Sequence, residues 1–228
     1  MGTHDGPGAH KQMLKTILSI VVIVACAGVL FFRFVGLPPR VDARPHIGIG
    51  EALAEQAVKL VGSGGKITLI APDTSVHRHP GAEVQSKVFF KALRRANLTV
   101  SSTNLIKLDP LRLMRVPPDD FVNLLRKQSE ADVVVSLLGP PIPTAEQKGK
   151  LPAKHGRVVA VCSGDMPHQI NLKSLFDEHL LHAAIVSRTS PAISVPQTDD
   201  PQSWFQHFYQ TITTANVNEL PVPRAATP

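Results

Sequence analysis

With 228 residues, 43% of them apolar and 18% charged, the chain has the composition of a globular protein with one core, not of a disordered one. Its 24 Lys and Arg outnumber 18 Asp and Glu for a net charge of +6, but no run of five or six basic residues occurs and aromatics are only 5%. That pattern argues against a nucleic-acid partner and is better suited to anionic lipid.

Residues 1–12 form a short polar tail. From Met13 the sequence MLKTILSIVVIVACAGVLFF carries one charge, Lys15, near its start. About 20 such residues at 1.5 Å each cross the ~30 Å of bilayer hydrocarbon, so a single membrane-spanning signal-anchor helix is expected over residues 13–35. A cleaved signal peptide has a shorter apolar core ending at small residues, whereas here Phe31, Phe32, Phe34 and Val35 continue past Ala25 and Ala27. Ile23-Val24-Ala25-Cys26 also resembles a lipoprotein processing box, which leaves lipidation of Cys26 as an alternative mode of attachment. Lys11 and Lys15 before the segment and Arg33, Arg40 and Arg44 after it blunt the charge rule for orientation. The short leading tail and large trailing domain favour an inner-membrane protein with its domain outside the cytoplasm. Leu37-Pro38-Pro39-Arg40 lies in a stiff linker over residues 36–46.

The remaining elements belong to a domain expected over residues 47–215. Ile49 to Val61 has helical spacing and stops at Gly62-Ser63-Gly64-Gly65, after which Lys66 to Ala71 reads as the first strand. Ala82 to Ala96 is an amphipathic helix with Val84, Val88, Phe89, Ala92 and Leu93 on one face and Glu83, Lys87, Lys91, Arg94 and Arg95 opposite. Leu98 to Leu108 is a second strand, and Pro117-Pro118-Asp119-Asp120 opens a helix with Phe121, Leu124 and Leu125. The continuous apolar runs Asp132 to Leu138 and Arg157 to Val161 have the signature of central parallel strands covered on both faces. Asn171 caps a further helix, His182 to Val186 makes a fifth strand, and Asp200-Pro201 opens a last helix bearing Trp204, Phe205, Phe208, Tyr209 and Ile212. Residues 216–228 read as a flexible tail. Strands and helices alternating in this way predict an α/β domain with a five-stranded, mostly parallel, doubly wound sheet in flavodoxin-like order.

Ligands of such sheets bind beyond the carboxyl ends of the strands. The candidate binding residues are therefore Asp73, Thr74 and Ser75 after the first strand, Asp109 after the second, Ser163 and Asp165 after the fourth, and Arg188 after the fifth. Hydroxyls, carboxylates and one guanidinium suit a small polar ligand such as a sugar. Neither a cofactor nor a metal is expected. In Gly48-Ile49-Gly50 no strand precedes and Leu53 occupies the place of a third glycine, while Gly62 to Lys66 precedes a strand instead of joining strand to helix. His77 and His79 beside Asp73 lack a third ligand at defined spacing.

The element order, with DVVVSLL over Asp132 to Leu138, Arg157 to Val161, and AAIVSR over Ala183 to Arg188, resembles one lobe of the type I periplasmic sugar-binding proteins, over about residues 47–190. The resemblance implies ligand contacts at Asp73, Thr74, Ser163, Asp165 and Arg188. After Arg188 too little chain follows for a second lobe, so a clamp closed within this chain is excluded and a homodimer or partner membrane protein is implied. The expected function is a membrane-anchored, non-enzymatic binding or interaction domain. Its rivals are a hydrolase or transferase using Cys162 and Ser163, and a structural subunit of a membrane complex.

Overall fold

The computed structural model describes residues 7–35, 41–75, 78–107, 115–189 and 194–221. It divides into two compact units, Met1–Val41 and Asp42–Pro228. The first contains helix α1 (Pro7–Val35), where Leu18, Ile23 and Phe31 are among the large apolar side chains that stand exposed. Side chains are described over residues 15–31 of α1. Among the described residues no helix is long and apolar enough to cross a membrane.

The second unit is an α/β domain. Helix α2 (Ala43–Leu60) begins earlier than its apolar spacing suggests, because the Asp42 carboxylate caps it by accepting from Arg44 N at 3.0 Å. Arg44 also pairs with Asp199 and lies 3.8 Å over the Trp204 ring, which ties this end of α2 to α8 (Pro201–Phe208). Strand β1 (Ile67–Pro72) leads to α3 (Pro80–Arg95) and then β2 (Val100–Ile106). Helix α4 (Pro118–Leu125), β3 (Val133–Ser136), α5 (Ala145–Gly149) and β4 (Arg157–Cys162) follow. Next come α6 (Met166–Gln169), α7 (Leu172–Asp177), β5 (Ala183–Ser187), α8 and β6 (Tyr209–Thr213).

The sheet has the order β2-β1-β3-β4-β5-β6, and every pairing is parallel except β5 with β6. The five parallel strands stand in the expected order. The sixth strand is a correction: the apolar positions Trp204, Phe205, Phe208 and Tyr209 fit a helical repeat, but the chain leaves α8 after Phe208 and Tyr209 to Thr213 pair antiparallel along β5. Within the segment read as a tail, Asn216 bonds back to Thr213 and a 3₁₀ turn forms at Val217–Glu219, while residues 222–228 lie outside the described residues.

Alternation within the central strands divides the core into two layers. Val133, Val135, Val159, Val161 and Ile185 pack with Leu53, Phe89, Leu93 and Phe205 on the α2, α3 and α8 face. Val134, Val158, Ala160, Cys162 and Val186 pack with Phe121, Leu125, Leu175 and Phe176 on the opposite face. Gly48 and Gly50 belong to this packing, not to a nucleotide turn. A Cβ on Gly48 would come within 2.5 Å of Phe205 Cβ, and one on Gly50 within 2.7 Å of Gln85 O. The two glycines let α8 and α3 close on α2. The amphipathic reading of α3 changes in one respect, because Gln85 is buried and makes a 3.0 Å hydrogen bond with His46 Nδ1, while Val84 and Val88 are only half-buried.

Candidate functional site

Parallel strands all release their loops at one edge of the sheet, so the residues after β1, β3, β4 and β5 share a rim. After β1, the Asp73 carboxylate accepts from Ser75 N at 2.9 Å. The Ser75 hydroxyl and N–H, helped by the nearby Lys107 charge, hold the Asp73 carboxyl below the usual carboxylate range. Asp73 is ionised and sits half-buried in a closed Asx turn, with Ser75 exposed beside it.

After β4, Ser163, Gly164 and Asp165 are exposed, and Gly164 N donates to Ser187 Oγ at the end of β5 at 2.9 Å. Asp165 Oδ2 accepts from Gln169 Nε2 at 3.2 Å, which draws its carboxylate toward α6. Arg188 is turned the other way: its Nε donates to Gln206 O at 2.8 Å and to Tyr209 O at 3.2 Å. These bonds satisfy carbonyls at the end of α8, so the arginine holds the α8–β6 junction as well as bordering the rim. Asp109 and His77 lie outside the described residues. His79 precedes α3 without capping it through its side chain.

Between the β1 and β4 loops, the residues after β3 make a floor. Ser136 Oγ accepts from Leu138 N at 3.2 Å, and the chain continues through buried Gly139-Pro140-Pro141. Gly139 has φ +93°, and a Cβ there would come within 2.9 Å of Met166 Sδ. Adjacent strands lie about 4.8 Å apart, so the ends of β1 and β4, two strands apart in the sheet, are about 10 Å from each other.

Cys162 does not face this rim. Its side chain is fully buried in the α4 and α7 layer, and burial pushes the thiol up to about 12. A thiol held protonated in an apolar core supplies no nucleophile, which removes Cys162 from the group-transfer reading.

The sequence did not point to two grooves beside β2. One, of about 420 Å³, lies between β2 and α3 and includes Thr74 in its lining; the other, of about 470 Å³, lies between β2 and α4. They depend on how little of β2 the helices cover, a tertiary property that no local motif carries.

Neither a protein-family model nor a curated protein matches the sequence. Among solved structures, an arabinose-binding protein from Geobacillus stearothermophilus is similar over 78% of this chain and 63% of its own, with a TM-score of 0.49 and 16% identity. A carbohydrate transporter solute-binding protein from Agrobacterium radiobacter, in complex with D-arabinose, is similar over 78% and 61%, with a TM-score of 0.47 and 13% identity. A periplasmic ribose ABC transporter from Conexibacter woesei is similar over 62% and 45%, with a TM-score of 0.41 and 12% identity. The chain therefore spans between 45% and 63% of the length of these three structures.

Proposed function

We propose that this chain is a non-enzymatic binding domain, held at a membrane by α1, whose strand-end rim receives a small polyhydroxylated ligand. One observation carries the reading: the Gly164 N to Ser187 Oγ bond joins the β4 and β5 loops into one polar wall, and Asp73 to Ser75 form another across the β3 floor. Carboxylates and hydroxyls gathered at the ends of neighbouring strands suit the donors and acceptors of a sugar. A single layer of this kind leaves the ligand open on one side, so tight capture requires a second surface opposite it.

The ligand reading is tested by thermal unfolding of the full chain in detergent micelles with ribose, arabinose, xylose and glucose. At about a hundredfold excess over Kd one of them is expected to raise Tm by about 5–10 °C. Asp73→Ala and Ser163→Ala are each expected to remove most of that rise. Flat melting curves with every sugar would remove the ligand reading.

The membrane role rests on the exposed apolar surface of α1, including Ile17, Val21, Val24, Val29 and Leu30. Together with the apolar run from Met13 it supports a signal-anchor in the inner membrane, with the domain outside the cytoplasm. Alkaline carbonate washing is expected to leave the full chain in the membrane pellet, and protease added to intact spheroplasts to digest the domain. Release of the intact chain by carbonate would refute the anchor, and protection from protease would refute the orientation.

A further inference from the structure

The outer edge of β2 is unguarded. Its sequence, VSSTNLI, has no charge and no proline, the two residue classes that commonly protect sheet edges from foreign strands. The opposite edge is treated differently: Asn216 Nδ2 donates to Thr211 O and Asn216 Oδ1 accepts from Thr213 N, so one side chain occupies the outer backbone of β6. Among the described residues no side chain does the same for β2. Helices do not shield it either, and Leu105 is 59% exposed.

The ladder fixes which backbone groups are free. Asp73 N donates to Ile106 O at 2.8 Å, and in a parallel pair both backbone groups of a residue turn to the same side, alternating along the strand. Ser102, Asn104 and Ile106 therefore bond toward β1, while Thr103 and Leu105 present N–H and C=O outward. The side chains of these same two residues line the 420 Å³ groove against α3. The groove exists because Ala82 and Ser86, one turn apart on α3, are too short to fill the space to the strand.

Charge decides what fits. Lys87 and Arg94 line the groove without an acidic partner among the described residues, whereas its carboxylate, Glu83, is taken by Arg78 at 3.8 Å. A second copy added across a two-fold axis would bring Lys87 and Arg94 of both chains to the same face, a like-charge arrangement that opposes pairing. The chain's own last residues, Val222 to Pro228, contain Pro223, Pro228 and Arg224 and no acidic side chain.

We propose that the β2 edge and its groove are a docking site for an extended segment of a partner protein that adds as a further strand and carries both apolar and acidic residues at every second position, on the one face turned to α3. Main-chain bonds to Thr103 and Leu105 supply adhesion, the groove takes apolar side chains, and Lys87 and Arg94 select acidic neighbours. The surface is separate from the strand-end rim except at Thr74.

The test is fluorescence anisotropy of a labelled octapeptide Val-Thr-Glu-Thr-Val-Thr-Glu-Thr, which puts Val and Glu on one face, added to the full chain in neutral detergent, with the same octapeptide carrying Lys for Glu as control. Saturable binding of the acidic peptide is expected, about tenfold or more tighter than the basic one. Thr103→Pro deletes one outward N–H without removing a bond to β1, and is expected to weaken binding about tenfold. The double variant Lys87→Glu, Arg94→Glu, on exposed helix positions, is expected to reverse the preference for acidic over basic peptide. Circular dichroism confirms that each variant is folded, and the double variant decides the matter should Thr103→Pro unfold. Absence of saturable binding, equal binding of both peptides, or a preference that survives the double variant overturns the proposal. Dimerisation of the chain that Thr103→Pro abolishes also overturns it, by assigning the edge to a second copy. The sugar-induced melting shift is measured on the same preparations, so failure of the rim and failure of this edge are seen separately.

Discussion

Gly65→Ala is expected to destabilise the α/β domain by about 3–5 kcal/mol, a third or more of the stability of an ordinary domain. The Gly62 to Gly65 turn enters β1 against the backbone of Ala131. Gly62 N donates to Ala131 O at 2.9 Å, Gly65 N donates to Gly62 O at 3.0 Å, and the next residue, Lys66, donates its N–H to Asp132 Oδ1 at 2.7 Å. A Cβ on Gly65 would stand 2.0 Å from Ala131 O and 2.7 Å from its carbonyl carbon. Both obstacles are backbone, and that backbone leads directly into β3, so relief means displacing the pairing of β1 with β3. Gly64 is the internal control: its φ is +70° but nothing lies within 4 Å of a Cβ there, so Gly64→Ala should cost only about 1 kcal/mol of conformational strain. Urea unfolding of the two variants in detergent micelles checks the pair. A loss under about 1 kcal/mol for Gly65→Ala would show that the turn can move aside.

That turn illustrates what the sequence could reveal. A glycine cluster between a helical repeat and an apolar run marks a stop and a sharp reversal, and the structure has both; which glycine meets a carbonyl is set by Ala131, over sixty residues away. The central strands were legible because Val133 to Val135 and Val158 to Val161 are apolar on consecutive residues, a demand made only by burial on both faces. Strand β6 was hidden because Trp204, Phe205, Phe208 and Tyr209 satisfy a helical repeat, and the break after Phe208 is enforced by pairing with β5. In the candidate site, the positions of Asp73 and Ser163 follow from the rule that loops gather at strand ends. The engagement of Arg188 with Gln206 and Tyr209 does not, because it depends on a sixth strand that periodicity assigned to a helix. The burial of Cys162 was legible as the last apolar position of β4.

The proposed membrane attachment and the proposed docking edge bear on each other. A chain held at a membrane meets partners in a thin layer, where effective concentrations are high and modest affinity suffices. An exposed β2 is an aggregation hazard for a freely diffusing protein. Basic side chains on α3 reduce pairing between copies, while leaving the edge open to an acidic strand.

Acidification from pH 7 to pH 4 is expected to remove about 2–3 kcal/mol of stability through His182 alone. This residue precedes β5, and its Nδ1 accepts from Val158 N at 3.1 Å, so the ring is neutral with its proton on Nε2. Burial is the main reason its pKa falls to about 4, and the His155, Arg157 and His179 charges add to the effect. The unfolded chain, with an ordinary histidine near 6.5, takes up a proton as pH drops below that value, while the folded chain does not until about pH 4. Proton uptake on unfolding means stability falls with falling pH throughout that window and levels off below it. His46, depressed chiefly by burial, acts in the same direction. Asp132 acts at lower pH: burial would raise its pKa, but the N–H groups of Lys66 and Ser129 and the Ser129 hydroxyl hold it below the carboxylate range, so its contribution is lost only below about pH 4. His182→Asn separates these effects, because an Asn side-chain oxygen can take the place of Nδ1 in accepting from Val158 N without titrating. Urea melts at pH 7, 6, 5 and 4 are expected to show a steep decline in the parent chain and a residual one in His182→Asn. Parallel declines in the two proteins would mean that His182 is not the group that couples protons to this fold.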